Sequence, residues 1–202
     1  MSINLLFQLL VLIFSIMIHE IAHGAIALKL GDDTAQKLGR LTFNPLKHID
    51  PIGSVFLPLI LIFLRSPFLI GWAKPVPYDP RFLKNPKSGA ALIALAGPVS
   101  NLAIAFIFGM LLRLSLFPVG LSILLALIVY INLLLAVFNL VPIPPLDGSK
   151  LLFYFIPDRG HQIQRTLEQY GPLLLLLFII IGFNFLVPII QILFTLIVGQ
   201  SL

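Results

Sequence analysis

The chain has 202 residues, of which 59% are hydrophobic and only 10% are charged, and its mean hydropathy is +1.07. A soluble domain usually carries about 25% charged residues, so the composition predicts an integral membrane protein. The net charge of +5 comes without a basic stripe and interleaved aromatic residues, which argues against nucleic-acid binding. The absence of cysteine excludes disulfides and thiolate metal ligands.

The first predicted helix, residues 3–30, is apolar along most of its length and is expected to be a retained membrane helix. Within it lies the string His19-Glu20-Ile-Ala-His23. On a helix, His19 and His23 stand one turn apart on one face, where both can reach one metal ion. Glu20 lies beside the first ligand, where its carboxylate can accept a proton from water at the metal. Ionisable groups at membrane depth indicate function, so this helix predicts zinc-assisted hydrolysis in a bilayer.

The segments after the first helix are short or interrupted. The apolar run 52–64 would span about 20 Å as a helix, less than the roughly 30 Å hydrocarbon core, so a re-entrant segment is predicted. Residues 65–88 are basic and contain four prolines, which break helices. The part at 71–78 therefore predicts extended backbone, and we expect a small β-like insertion near 66–80.

Three further apolar runs are long enough to span a membrane: 89–112, 121–140 and 173–198. Gly182 and Pro188 could kink the last run or divide it into two pieces. The predicted fold class is therefore an all-α polytopic membrane protein. We expect about four full spans, and four to six helices when re-entrant ones are included.

The basic residues predict the topology. Segments 29–50 and 65–88 are basic, and by the positive-inside rule they face the cytoplasm. Segment 141–171, with Lys150, Arg159 and Arg165, follows a helix that returns to that side. The two histidines of the first helix lie near its cytoplasmic end, and Asp147 follows a helix that returns to the same side. A catalytic zinc usually has three protein ligands and one open position, so Asp147 is the candidate third ligand.

Purely structural roles for these residues remain alternatives to the metal site. Asp147 could cap a helix that begins near Ser149. His48 and His161 are rival ligands, although both lie among charged residues where a histidine ordinarily faces water. The polar residues of the first helix could simply hold helices together, but Glu20 is an expensive residue for that purpose.

Five sequence motifs in the chain match those of one protein family. They are residues 19–24, 41–53, 71–77, 96–101 and 142–148, the last of which reads Pro-Ile-Pro-Pro-Leu-Asp-Gly. With these motifs the chain resembles the site-2 protease family of zinc intramembrane metalloproteases, in its compact prokaryotic form. The resemblance extends over about residues 15–150.

The resemblance implies a role for each matching residue. His19, His23 and Asp147 would hold one zinc ion per chain, with Glu20 as the general base. Two asparagines are candidate contacts to the oxyanion or the substrate, with a hydrogen bond between helices as the alternative for each: Asn139 and Asn101. Gly97 and Pro98, in the string 96–101, are interpreted as permitting close helix packing rather than chemistry.

The resemblance also implies the function and the setting. We expect a single membrane-embedded metalloprotease domain over residues 1–202, because no stretch is long and polar enough for a PDZ-like or nucleotide-sensing domain. Its expected reaction is zinc-dependent hydrolysis of peptide bonds in or near the transmembrane helices of single-span proteins, first shortened by another protease. The active site is expected toward the cytoplasmic side of the cell membrane, with no nucleic-acid partner. The alternative is a non-catalytic membrane zinc-binding or scaffold protein.

Overall fold

The computed structural model describes residues 3–56, 59, 60, 63, 73–157 and 160–200, and this part of the chain contains helices and no strand. In the described residues, seven α-helices have defined bounds: α1 (Ile3–Lys29), α2 (Thr34–Lys37), α3 (Pro86–Arg113), α4 (Val119–Asn139), α5 (Asp147–Phe155), α6 (His161–Leu177) and α7 (Leu186–Val198). Short helical turns lie at Pro45–Lys47, Pro51–Phe56, Pro80–Phe82, Phe178–Gly182 and Phe183–Phe185.

Among the residues that the structure describes, four helical stretches are long and apolar enough to cross a membrane: Leu6–Lys29, Pro86–Arg113, Val119–Asn139 and His161–Val198. The predicted all-α polytopic fold class is confirmed, and the protein is a multi-pass membrane protein. The last stretch contains α6 and α7. A π-helical turn at Phe178–Gly182 and a 3-10 turn at Phe183–Phe185 connect the two helices without a loop.

Helix α3 begins three residues before its predicted start at Gly89. The side chain of Asn85 accepts a hydrogen bond from Ser88 N, and Pro86 occupies the first turn. Both are strong helix-start signals, and they extend the helix beyond its apolar run. The predicted start therefore followed hydropathy and missed the polar cap.

Helix α3 lies at the centre of the molecule and packs against α1, α4, α5 and α7. Small residues recur among its buried positions: Gly89, Ala91, Ala94, Gly97, Ala105 and Gly109. Small side chains let helix backbones approach closely, which is how helices associate in membranes. Helix α7 covers the other end of the bundle with Leu186, Ile190 and Phe194, spaced four residues apart on one face.

Residues 73–79 form neither a helix nor a strand, Asp79 has extended backbone dihedrals, and the segment lies against the end of α1. The carboxylate of Asp32, which is fully buried, accepts a hydrogen bond from Asp79 N at 2.6 Å. Arg40 donates to Lys74 O at 2.7 Å, and Lys74 N donates to His48 O at 2.9 Å. This segment, called here the extended segment, is therefore anchored through its backbone to the loop that follows α1.

The expected β-like insertion takes a different form in the described residues. Pro75 and Pro77 have no N–H group to donate to a sheet ladder, and residues 73–79 form no strand. Residues 71 and 72 lie outside the described residues. The predicted re-entrant run 52–64 is described only at residues 52–56, in the turn Pro51–Phe56, and at 59, 60 and 63.

Candidate metal centre

The side chains of His19, His23 and Asp147 converge at one point between α1 and the start of α5. The Nε2 atom of His19 lies 3.1 Å from Oδ2 of Asp147, and that of His23 lies 3.3 Å from the same oxygen. The three ligand atoms all lie within 4.8 Å of one another, so one metal ion could contact all three. Their assignment as zinc ligands stays a prediction.

Asp147 is the first residue of α5, but its carboxylate does not cap that helix. The N-cap position is Leu146, and no side chain makes a cap hydrogen bond there. The carboxylate instead faces the two histidines. The next residue, Gly148, allows this turn, because a Cβ there would collide with the backbone of Leu140 and Val141 at the end of α4.

The hydrogen bonds of the two imidazoles show which ring nitrogen faces the centre with a lone pair. Nδ1 of His23 lies 2.7 Å from Ile93 O, which has no hydrogen to give, so Nδ1 of His23 carries the proton. Nδ1 of His19 lies 2.6 Å from Oδ1 of Asn101 and donates in the same way. In their neutral form both imidazoles therefore direct the lone pair of Nε2 toward Asp147.

A metal cation suits this arrangement. Oδ2 of Asp147 is buried, and the Nε2 atoms of His19 and His23 lie 3.1 and 3.3 Å from it. In neutral imidazoles these two nitrogens carry lone pairs, and a positive charge between them and the carboxylate oxygen attracts all three atoms. Two imidazole nitrogens and one carboxylate oxygen, each imidazole donating its other nitrogen to an oxygen, are the ligands of catalytic zinc.

Gly97 of α3 forms one wall of the centre. A Cβ added to Gly97 would lie 2.5 Å from Nε2 of both His19 and His23. Close helix packing at Gly97, as interpreted from the sequence, is therefore present. The side chains of α1 that pack against Gly97 are His19 and His23, the candidate ligands themselves. A side chain at residue 97 would displace the imidazoles.

Glu20 lies beside the centre and is held by the extended segment. Its Oε2 atom accepts a hydrogen bond from Val76 N at 2.7 Å. The side chain is half-buried and lines, together with the three candidate ligands, a cavity of about 230 Å³. One carboxylate oxygen is thus fixed by the backbone, and the carboxylate lies in the same cavity as the candidate ligands.

Three further polar side chains line this cavity: Tyr78, Asn139 and Lys150. Asn139 donates one amide hydrogen to Leu135 O of its own helix, and an amide nitrogen has a second hydrogen to offer. Burial raises the pKa of Tyr78, and the negative charges of Asp147 and Glu168 raise it further, so the phenol keeps its proton and is a donor. Tyr78 and Lys150 were missed by the sequence analysis, because an extended segment and a short helix carry no periodic signal of which side chains face a site.

The structure places Asn101 behind His19. Asn101 is fully buried in α3 and is not among the cavity-lining residues in the described part of the chain. Its geometry supports a contact to the candidate ligand rather than to the substrate. Asn139, which lines the cavity, keeps the tentative substrate role as a prediction.

The rival ligands lie elsewhere. His48 is 4% exposed, so the expectation that it faces water was wrong; its Nε2 lies 2.9 Å from Thr42 O, and it helps anchor the extended segment. His161 is exposed at the start of α6 and lines a neighbouring cavity of about 300 Å³. Neither belongs to the metal-ligating group found among the described residues.

Comparison with known proteins agrees with this geometry. The model of Peptidase family M50 matches residues 114–182, which include Asp147. The Bacillus subtilis protein YwhC, provisionally named a zinc metalloprotease, is 41% identical over 174 residues, covering 82% of this chain and 76% of YwhC. The chain belongs to peptidase family M50, the site-2 proteases.

Other M50 relatives carry the same provisional name. Rip2 of Mycolicibacterium smegmatis is 30% identical over 177 residues, covering 83% of this chain and 64% of Rip2. MJ0611 of Methanocaldococcus jannaschii is 49% identical over 61 residues, covering 30% of this chain and 31% of MJ0611. No solved structure matches the chain. Family and relatives together support a membrane metalloprotease that uses zinc, and the donor set of the candidate centre suits that metal.

Proposed function

We propose that this M50 protein is an intramembrane endopeptidase that cleaves peptide bonds in or near the transmembrane helices of single-span proteins. The observation that carries the proposal is the meeting of His19, His23 and Asp147 within 4.8 Å, with Glu20 in the same cavity. A purely structural role would explain helix contacts but not a half-buried carboxylate beside a ligand set.

Each residue has a chemical task in the proposed reaction. His19, His23 and Asp147 would hold zinc, which supplies Lewis-acid chemistry that polarises a carbonyl and makes water more acidic. Glu20 accepts a proton from the attacking water and delivers it to the leaving amine. The hydrogen bond from Val76 N orients the Glu20 carboxylate. Donors that line the cavity, among them Asn139, would stabilise the developing oxyanion.

The depth of the centre supports a membrane-embedded substrate. His23 lies six residues before the end of α1 at Lys29, which is roughly 9 Å of helix rise. A folded soluble protein reaches that depth with difficulty, whereas a membrane helix arrives sideways. By the positive-inside rule the near end of α1 is cytoplasmic, so we propose cleavage near the cytoplasmic end of the substrate helix. The cavity at the centre, about 230 Å³, is too small to admit a large folded domain of a substrate. We therefore propose that another protease shortens the substrate first.

The substrate helix must unwind locally, because a helical peptide bond is already hydrogen-bonded to its neighbours. The extended segment is the proposed surface for the unwound strand. Its N–H groups at Lys74, Val76 and Asp79 are already engaged within the protein. Strand addition is therefore proposed for the other groups of the segment, with the bonded groups keeping the segment in place.

The test is a cleavage assay in liposomes with a single-span substrate helix that carries or lacks Gly-Pro near the scissile bond. Glu20→Gln keeps the size of the side chain but accepts no proton, so cleavage should be lost while zinc stays bound. Asp33→Asn, which changes a carboxylate on the loop after α1 that pairs with Lys37, is the matched control and should cleave normally.

Each outcome of the assay is informative. The wild type should cut the Gly-Pro helix faster than a Leu-rich helix, since glycine and proline lower the cost of unwinding. Equal rates would contradict the unwinding step. Zinc binding without cleavage of either helix would favour the non-catalytic zinc-binding alternative, and cleavage of casein with neither helix cut would contradict the intramembrane site.

A further inference from the structure

Two asparagines form a buried pair next to the metal centre. Asn101 of α3 and Asn132 of α4 are both fully buried, and Nδ2 of Asn101 donates to Oδ1 of Asn132 at 2.9 Å. Burying an amide is costly unless all its polar atoms find partners. The pair lies between helices that otherwise meet through apolar and small side chains, so its retention calls for a specific reason.

The partners of the pair determine which way each amide points. Ile128 O can only accept, and Asn132 contacts it at 2.9 Å, so the amide nitrogen of Asn132 must be the end that faces Ile128. The oxygen of Asn132 then faces Asn101, whose nitrogen must be the contacting end. The nitrogen of Asn101 also reaches Ser15 O at 3.3 Å, a second atom that only accepts.

The orientation of the Asn101 amide in turn determines which atom faces His19. With its nitrogen held by Asn132 and Ser15, Asn101 can present only its oxygen to His19, at 2.6 Å from Nδ1. An oxygen there requires Nδ1 of His19 to carry a proton. In the neutral imidazole the Nε2 atom then has its lone pair toward Asp147, which is the form that binds a metal.

We propose that Asn132 is a positioning residue of the metal centre, which acts through Asn101 to hold His19 in the Nδ1–H tautomer with Nε2 open to zinc. The inference rests on the zinc centre of the proposed function. Without Asn132, only the longer contact to Ser15 O opposes a flip of the Asn101 amide. A flipped amide turns a donor toward His19, which places the proton on Nε2 and in the way of the metal.

Three substitutions of Asn132 separate positioning from packing. Asn132→Leu keeps the branching at Cγ but removes both polar atoms and with them the orientation. Asn132→Thr still bonds Ile128 O through its hydroxyl, as threonine does in helices, but is too short to reach Asn101. Asn132→Asp, protonated at the oxygen that faces Ile128 O, keeps an accepting oxygen toward Asn101. Thr195→Val is the control, because it removes a hydrogen bond of the same kind, from Thr195 to Gln191 O, on α7 away from the centre.

Two measurements on detergent-purified full chain test the proposal: zinc affinity by competition with a chelator, and the ¹⁵N NMR shifts of histidine in metal-free protein. We expect Asn132→Leu and Asn132→Thr to weaken zinc binding about tenfold, the lower end of losses on removing an outer partner. Both should show His19 as a mixture of tautomers. Asn132→Asp and Thr195→Val should match the wild type, with the Nδ1–H form alone.

The results distinguish the proposal from the function on which it rests. Wild-type zinc affinity and a single His19 tautomer in Asn132→Leu and Asn132→Thr would overturn the positioning role. If Asn132→Leu does not fold, Asn132→Thr gives the same decision. If the wild type binds no zinc, the metal centre fails, while the tautomer shifts still decide whether Asn132 orients His19.

Discussion

Asp147 is the ligand of the candidate centre whose role is easiest to isolate. Asp147→Asn keeps the shape of the side chain but replaces a charged oxygen by a neutral one, so zinc affinity should fall while the fold is kept. The paired change of His19→Ala and His23→Ala should remove zinc altogether. Elemental analysis of purified protein, with about one zinc per chain expected for the wild type, measures both. Zinc retained after the paired histidine change would reject the site.

A second prediction concerns Gly97, where a substitution should affect metal binding more than it affects thermal stability. Alanine inside a helix is normally favoured over glycine by about 1 kcal/mol, but a Cβ at residue 97 would press on both imidazoles. Gly97→Ala should therefore lower zinc occupancy and cleavage more than it lowers thermal stability.

The matched control for this prediction is Gly120→Ala in the first turn of α4. A Cβ at Gly120 would meet nothing within 4 Å, so that variant should keep wild-type zinc content. Unchanged zinc content in Gly97→Ala would show that the imidazoles can move aside at little cost.

Much of the residue-level site follows from spacing, and the rest depends on packing. The four-residue interval between His19 and His23 sets them on one helix face whatever surrounds them, and charge bias placed Asp147 on the same side. The partners of Asn101 could not be derived in this way. Which amide end faces which neighbour is decided by carbonyls on other helices, and sequence alone does not bring those into contact.

At the scale of elements, the extended segment depends on one buried carboxylate. Asp32 accepts hydrogen bonds from Thr34 N at 3.0 Å and Asp79 N at 2.6 Å. Asp32→Ala leaves buried donors unpaired, at a cost of about 1–3 kcal/mol. We expect faster amide hydrogen exchange at Val76 and Asp79 and slower cleavage, since Val76 N orients Glu20. Asp33→Ala, at the neighbouring half-exposed carboxylate, should leave the exchange unchanged.

The same anchor has a defined pH dependence. Burial alone would raise the pKa of Asp32, but hydrogen bonds from Thr34 and Asp79 hold it below its usual value. A folded-state pKa that is lowered contributes stability above the unfolded value of about 3.9, and that stability is lost as pH falls through the lower folded value. Amide protection of Asp79 should therefore persist from about pH 8 to pH 5. Its loss within that range would contradict the role of Asp32.

The membrane-spanning helices were predictable because each one coincides with a long run of apolar residues in the sequence. The starts and stops differ by a few residues where polar caps such as Asn85 extend a helix past its apolar run. The extended segment was predicted from its prolines, but not its partners. Those lie on the loop after α1, more than thirty residues away in sequence, at Asp32 and Arg40.

At the scale of the whole molecule, the open question is which way the helices face. The turn between α3 and α4 carries one charge near it, Arg113, whereas several Lys and Arg residues lie in the loop after α1 and in the segment before α3. The positive-inside rule therefore predicts that the metal centre is close to the cytoplasm and that the α3–α4 turn lies outside.

Single cysteines test this topology cleanly, since the chain has none of its own. Cysteine should be placed at Lys37, Lys84 and Arg165, all exposed, and at Ser115 in the α3–α4 turn as the opposite-side control. A membrane-impermeant thiol reagent added to intact cells should label Ser115→Cys and miss the other three until the membrane is opened. Labelling of Lys84→Cys but not Lys37→Cys would mean that the chain crosses the bilayer between them. The extended segment would then have to reach Glu20 from the far side, which the hydrogen bond from Val76 N to Glu20 argues against.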